Sequence, residues 1–403
     1  MSNSSVADLT NSNSFKKGFP HETFSWLRAN APIYWHEPTE NTPDGEGFWV
    51  VSRYEHVIKI LQSPKVFSSE KGGTREFGGT QLKDDRGAGY FLNQTDDPDH
   101  RRLRSLVNTG FTPRRVKRLE KELRERTVEL LGRLNNSSGV NFVEIAREIP
   151  LQAICMVLGV PQADRRELCD IVDHGIETQS DHVVARESIK TLSAYGQDLI
   201  NEKRVRPSGD ILSTIVHATQ DNDGKSLTDR ELRAFFTLLF LAGSETTRNA
   251  ITGGVLAFIE HPMQLASLRA NPSGIKLAIE EILRWTTPSI YKRRTATKNI
   301  SLHDKTIKAG DKITFWEMSA NRDERVFSTP FEFDISREPN PHLGFGQGVH
   351  FCLGASLARM EMRVVLQELL SRNENWALTE KPVWVPNNRL LGLKSLYIQS
   401  IPS

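Results

Sequence analysis

The chain has 403 residues, with 52 Lys and Arg against 50 Asp and Glu. That near balance, a net +2, excludes the basic excess or stripe by which nucleic-acid binders are usually recognised. Three cysteines, Cys155, Cys169 and Cys352, are too few for a disulfide framework. With no signal-peptide pattern over Met1 to Ser14 and no run of about 20 apolar residues, they lead us to expect a cytoplasmic protein without a membrane anchor.

In chain order, Met1 to Lys17 is rich in Ser and Asn and reads as a disordered lead-in, with one domain expected over 18–403. Phe48 to Val51 is β-prone and bounded by Gly47, which predicts a strand. Six glycines (72, 73, 78, 79, 87 and 89) among charges make Lys71 to Gly89 a long mobile loop in this reading. From Pro98 the pattern turns helical. Leu103, Leu106 and Val107 share a face, and Val116, Leu119, Leu123, Leu130 and Leu131 continue it after Pro113. A further helix ends in the basic cluster before Pro207.

Thr228-Asp229-Arg230-Glu231 is a capping box, and no proline interrupts the chain from there to His261-Pro262. This helix is apolar nearly all round between Phe235 and Leu241, so it should cross the interior. A helix over Ile275 to Trp285 follows. Thr295 to Ile313 carries short β-prone pieces with turns at His303-Asp304 and Ala309-Gly310. Asp334 to Gly348 is irregular, and helix returns from Gly354 to Leu370. The fold class is mainly α with small β-sheets.

The informative stretch is Phe345-Gly346-Gln347-Gly348-Val349-His350-Phe351-Cys352-Leu353-Gly354, followed by Leu357-Ala358. Glycines before the cysteine allow a tight loop, and Gly354 lets a flat group approach. A helix begins just beyond, and its positive end favours thiolate over thiol. A lone cysteine before a helix is also often a small buried hydrophobe. The pattern Phe-x-x-Gly-x-His-x-Cys-x-Gly resembles the haem-binding signature of the cytochrome P450 monooxygenases. The resemblance extends from about Phe19 to Ser400. It implies a single-domain, triangular, helix-rich body around a buried haem b (iron protoporphyrin IX) with Cys352 as the thiolate ligand of iron.

Other segments fall in the family's order. Ala242-Gly243-Ser244-Glu245-Thr246-Thr247 lies mid-way along the long helix. Small residues Ala242 and Gly243 would leave room over the haem, and the Thr246 hydroxyl can bond the carbonyl one turn back, breaking the helical ladder locally. By resemblance, Thr246 and Glu245 form the acid–alcohol pair that feeds protons to dioxygen. Glu281 and Arg284, at i and i+3, match the structural Glu-x-x-Arg pair, with Arg337 as the candidate second arginine. Haem propionates need cationic partners. The matching positions are His100, Arg104, His350 and one of Arg293 and Arg294, with Arg294 assigned. Phe345, Gly346 and Gly354 complete the cofactor-binding set.

Between His100 and Arg126 stand ten Lys and Arg (101, 102, 104, 114, 115, 117, 118, 121, 124 and 126) against three Glu. Most such runs are solvated faces. The resemblance places this one, with Arg359 and Arg363, beside the cysteine face of the haem, where it would dock an acidic ferredoxin. Only about fifty residues follow Cys352, so electrons are expected from a separate ferredoxin and ferredoxin reductase. The expected reaction inserts one atom of dioxygen into an unactivated C–H bond of a hydrophobic small-molecule substrate. Wall candidates are residues 72–91, Leu238, Leu239, Ala242, Ser289 to Tyr291, and Leu390 to Gly392. Phrases such as Ser319-Ala320-Asn321-Arg322-Asp323 are similar to the bacterial branch acting on sterol side chains, methyl-branched lipids and terpenoids. Two other readings use the same ligand, a non-hydroxylating isomerase or dehydratase and a haem sensor. The acid–alcohol pair argues against the first, and the lack of an output domain against the second.

Overall fold

The computed structural model describes residues 6–72, 74–135, 139–177, 182–219, 226–372 and 374–401. The first third holds α1 (His21–Asn30), β1 (Ile33–His36), β2 (Phe48–Val51), α2 (Tyr54–Leu61), β3 (Phe67–Ser68), α3 (Asp99–Asn108), α4 (Pro113–Arg118) and α5 (Glu120–Leu131). The middle is helical: β4 (Val140–Asn141), α6 (Phe142–Leu158), α7 (Arg165–Glu177), α8 (His182–Val205), α9 (Ile211–Val216), α10 (Asp229–Glu260), α11 (Pro262–Ala270) and α12 (Ile275–Thr286). Strands β5 (Lys292–Ala296), β6 (Ile300–Leu302), β7 (Lys305–Ile307) and β8 (Lys312–Phe315) precede α13 (Glu317–Ala320) and α14 (Ala355–Ser371). The chain closes with β9 (Asn375–Leu378), β10 (Val383–Trp384), β11 (Leu393–Ser395) and β12 (Tyr397–Ile401).

Helix α10 organises the rest. Its capping box forms as expected: the Thr228 hydroxyl accepts from the Glu231 amide at 3.3 Å, and the Glu231 carboxylate accepts from the Thr228 amide at 2.8 Å. The helix packs on α6, α8, α12 and α14, which explains why apolar residues surround it. Helix α6 is buried along nearly its whole length and ends at Gly159, whose φ of 65° brings the Val160 amide back to the Cys155 carbonyl. The larger sheet runs β1-β2-β8-β5-β3. Within it β2 and β8 are parallel, with Val50 opposite Thr314, and the other pairs are antiparallel. This sheet sits beside the helical body and delivers β5 toward the cysteine loop.

Two expectations from the sequence change. The lead-in is packed from residue 6 onward, while residues 1–5 lie outside the described set. Leu9 and Phe15 are fully buried, residues Ser12–Phe15 form a 3₁₀ turn, and the Phe15 ring stacks on Trp316 at 6.2 Å. Average composition hid two apolar anchors spaced to fill one site. The glycine-rich loop is pinned as well: Arg75 bridges Glu46 and Asp84 at 2.7 and 2.6 Å, and Arg293 reaches Asp84 at 2.6 Å.

Candidate functional site

The loop before α14 folds around its two glycines. Gly346 and Gly348 have φ of 67° and 75°, and a Cβ on Gly348 would stand 2.6 Å from the Leu61 carbonyl oxygen. The Cys352 amide donates to the Phe345 carbonyl at 2.9 Å, closing the loop beneath the sulfur. Burial pushes the Cys352 thiol up, while the Gly354 amide and the charges of Lys292, Arg104 and Arg359 pull the other way. Burial outweighs these pulls, so they alone do not bring the thiol below its ordinary range. A bound metal cation would, because coordination deprotonates a thiol outright. Arg359 lies over the Phe345 ring at 4.5 Å, and the Phe351 ring meets Phe345 edge-on at 6.2 Å.

Helix α10 contributes its middle. Ala242 is exposed although Phe240 and Ser244 beside it are buried, and Leu238, Leu239 and Thr246 are partly accessible. Positions 238, 242 and 246 share one helical face, so that face borders an interior space. The Thr246 hydroxyl donates to the Ala242 carbonyl at 2.9 Å, as expected, but α10 runs unbroken from 229 to 260. The expected local break is therefore absent from the helix. Gly243 has a packing reason of its own, since a Cβ there would lie 2.8 Å from Ile154 of α6. Glu245 is buried and ion-paired with Arg248 at 3.3 Å. Burial pushes its carboxyl up against the pull of Arg248 and Arg389.

A cationic cluster closes one side. The His100 and His350 rings lie 4.2 Å apart, and His350 shares a hydrogen bond of 2.9 Å with Ser69. Burial, then Arg294, His100 and Arg104, take His350 down to about 2. Arg294 is buried, pushed down to about 10 by that burial, and its hydrogen bond among the described residues goes to the Arg293 carbonyl at 3.0 Å. His100 Nε2 is buried and, among the described residues, has no hydrogen-bond partner. Among the described residues no hydrogen bond or ion pair holds the Arg104 guanidinium, which interacts electrostatically with Cys352. Arg293 instead turns to Asp84 at 2.6 Å, while Arg294 is among the charges acting on His350. Such a cluster is costly without anions. Two carboxylates of a flat cofactor, whose metal Cys352 would hold, would satisfy it. The residues present fit a haem.

Beneath this, Glu281 and Arg284 are fully buried and joined by two hydrogen bonds of 2.7 and 2.8 Å. Arg337 adds a contact at 3.3 Å, as the sequence suggested. Asn340, at 3.0 Å from Glu281, and Ser69 were not singled out from sequence, because nothing local marks either as a partner. Among the expected wall residues, Ile290, Tyr291 and Leu391 are buried with Trp316, so their bodies belong to a core around that ring.

The comparisons agree with this geometry. The family model described as Cytochrome P450 matches residues 179–272 and 275–398. Cytochrome P450 126 of Mycobacterium tuberculosis is 48% identical over 400 residues, covering 97% of each chain. A methyl-branched lipid omega-hydroxylase of the same organism is 39% identical over 93% of this chain and 89% of its own. A Mycobacterium marinum cytochrome P450, CYP268A2, solved in complex with pseudoionone, superposes with a TM-score of 0.85 at 34% identity, covering 96% of this chain and 97% of that one. At these identities and coverages the chain belongs to the cytochrome P450 family and is a monooxygenase.

Proposed function

We propose that this monooxygenase hydroxylates a sterol side chain, a terpenoid or a branched lipid, on haem b, with electrons from a ferredoxin. The observations that carry the reading are the exposed Ala242 in the middle of α10, which packs on the helix that follows Cys352, and the arginines and histidines gathered at His350. Haem, when bound, supplies oxygen activation, and thiolate ligation favours O–O cleavage. Cys352 holds the iron. His100, Arg104, Arg294 and His350 hold the propionates. Leu238, Leu239 and Ala242 present an apolar surface that favours a hydrophobic substrate and excludes water. The Thr246 hydroxyl positions a proton donor beside that face, and the buried Glu245, raised toward its neutral form, relays protons to it.

The electron donor meets the other side. Of the ten cations between residues 101 and 126, Arg101, Arg102, Arg124 and Arg126 pair with carboxylates of this chain, and Arg104 interacts with Cys352. Arg359 and Arg363 are likewise engaged by Glu280 and Glu120. Among the described residues no ion pair holds Arg114, Arg115, Lys117, Arg118 or Lys121. These lie on α4 and α5, which pack against α14, the helix after Cys352. Phe351 and Val349, 40% and 39% exposed, add an apolar centre. An acidic ferredoxin fits such a surface, with an on-rate that falls as salt rises.

The test is the absorption spectrum of the reduced protein under carbon monoxide. A strongly red-shifted Soret band, lost in Cys352→Ala, is expected, and a band typical of histidine ligation would sink the reading. Thr246→Ala should keep haem and substrate affinity while diverting most electrons to peroxide, measured as product formed per reductant consumed. Unchanged coupling would remove Thr246 from proton delivery.

A further inference from the structure

Outside the cluster at His350, Arg389 stands apart from the other interior arginines. Arg28, Arg284, Arg293, Arg322 and Arg337 each donate to at least two acceptors of this chain. Among the described residues, no hydrogen bond or ion pair holds the Arg389 guanidinium. It is half-buried, and it interacts electrostatically with the Tyr291 hydroxyl and the Glu245 carboxyl. The Glu245 carboxyl is already ion-paired with Arg248 and pushed up by burial, so it offsets little of the cost of withdrawing this cation from water, and a ligand that brings an anion recovers that cost.

The backbone around it is fixed. Asn387 accepts from the amides of Arg389 and Leu390 at 2.8 and 3.0 Å. The Ile290 amide donates to the Arg389 carbonyl at 3.1 Å, and the Leu391 amide to the Pro288 carbonyl at 2.8 Å. Gly392 lies directly against the Asn249 side chain, so that any Cβ there would collide with the amide. Asn249 in turn accepts from Arg248 at 3.1 Å, and Arg248 holds Glu245. The turn is thus clamped between the approach to β5 and the part of α10 that follows Thr246, beside the face formed by Leu238, Ala242 and Thr246.

This guanidinium is separate from the cation cluster at His350. The groups acting on His350 are Arg294, His100 and Arg104, whereas those acting on Arg389 are Tyr291 and Glu245. Haem propionates would be held by the first set, and in the second the one carboxyl, Glu245, is already paired with Arg248. We propose that Arg389 is the anchor for a carboxylate on the substrate, so that the enzyme takes amphipathic acids with an apolar body. A planar guanidinium matches a carboxylate through two parallel hydrogen bonds, and the apolar face of α10 receives the rest of the molecule. The inference rests on the monooxygenase reading only in placing the substrate on that face.

Calorimetric titration of the haem-loaded full chain with dodecanoic acid and with 1-dodecanol tests it. The acid should bind about tenfold or more tightly than the alcohol of equal length, the scale of one charge-assisted hydrogen-bonded pair. Arg389→Met should bring the two within about threefold, and Arg389→Lys should restore part of the preference. No binding of the acid, equal affinities in the wild type, or a preference that survives Arg389→Met would each overturn the anchor. The carbon monoxide spectrum of the same samples keeps the readings distinct. A normal thiolate band with equal affinities overturns the anchor alone. A histidine-type band with a tenfold preference supports the anchor while the haem-thiolate reading fails.

Discussion

Two buried charge clusters lie close together in the chain's fold and behave in opposite ways. Around Glu281 the carboxylate accepts from Arg284, Arg337, Asn340 and the Asp334 amide, and Arg284 spends its remaining donors on the carbonyls of Asn321, Pro330 and Glu332. Around His350, Arg294 and Arg104 face two histidines and find few acceptors. The first cluster is complete within the chain and holds the segment before the cysteine loop to α12. In the second, two arginines stand beside histidines that burial disfavours as cations. The carboxylates of Glu317 and Asp96 act on Arg294 but are not hydrogen-bonded to it, so its remaining donors are left for a ligand. Buried charge by itself does not distinguish scaffold from site; the count of satisfied partners does.

The comparison breaks most severely at Glu281. Glu281→Ala leaves two buried guanidinium groups without their carboxylate, and removing one partner of a buried pair costs about 3–5 kcal/mol. Urea denaturation should show a loss of that order or no folded protein, and a loss under 1 kcal/mol would mean the cluster is not a scaffold. Arg294→Met should do the reverse. The chain without haem should keep its stability to within about 1 kcal/mol, while haem affinity, read by transfer to apomyoglobin, falls about tenfold or more. A large loss of stability with unchanged haem affinity would place Arg294 in the scaffold.

Glu280 sharpens the contrast at a smaller scale. Burial pushes its carboxyl up, but hydrogen bonds from Arg359 and His342 outweigh this and take it from 4.5 to about 2. Its folded pKa is therefore depressed. The stability it contributes is fully present above about 4.5 and is lost as pH falls toward 2. Glu280→Gln should flatten the acid limb of stability against pH by about 1–2 kcal/mol and leave pH 7 behaviour otherwise similar in shape. An unchanged acid limb would show that the pair contributes little.

Features carried by adjacent residues were legible in the sequence. The capping box at Thr228 and Glu231, the glycine–cysteine loop and the Glu281–Arg284 spacing each lie within a few positions of one another, so pattern and geometry coincide. Arg337 was found because the family pattern pointed to it. Ser69 and Asn340 were not, since each reaches its partner across a long stretch of chain, 281 and 59 residues respectively. Nothing in the text of the sequence showed that Arg293 has a carboxylate of its own in Asp84, more than two hundred positions away. The basic run at 101–126 looked uniform as text, and only the fold shows which of its cations already have carboxylates. The small and polar residues of the lead-in hid Leu9 and Phe15 because composition averages over the residues that matter.

The packing of Phe15 on Trp316 has a practical side. Trimming the first fifteen residues as if they were a tail would uncover the Trp316 face and the rings of Phe19 and Phe24 that share its cluster. An apolar surface of that kind is adhesive between molecules. The shortened protein would be expected to lose colloidal behaviour before it lost colour, remaining able to carry its pigment while drifting into oligomers on storage.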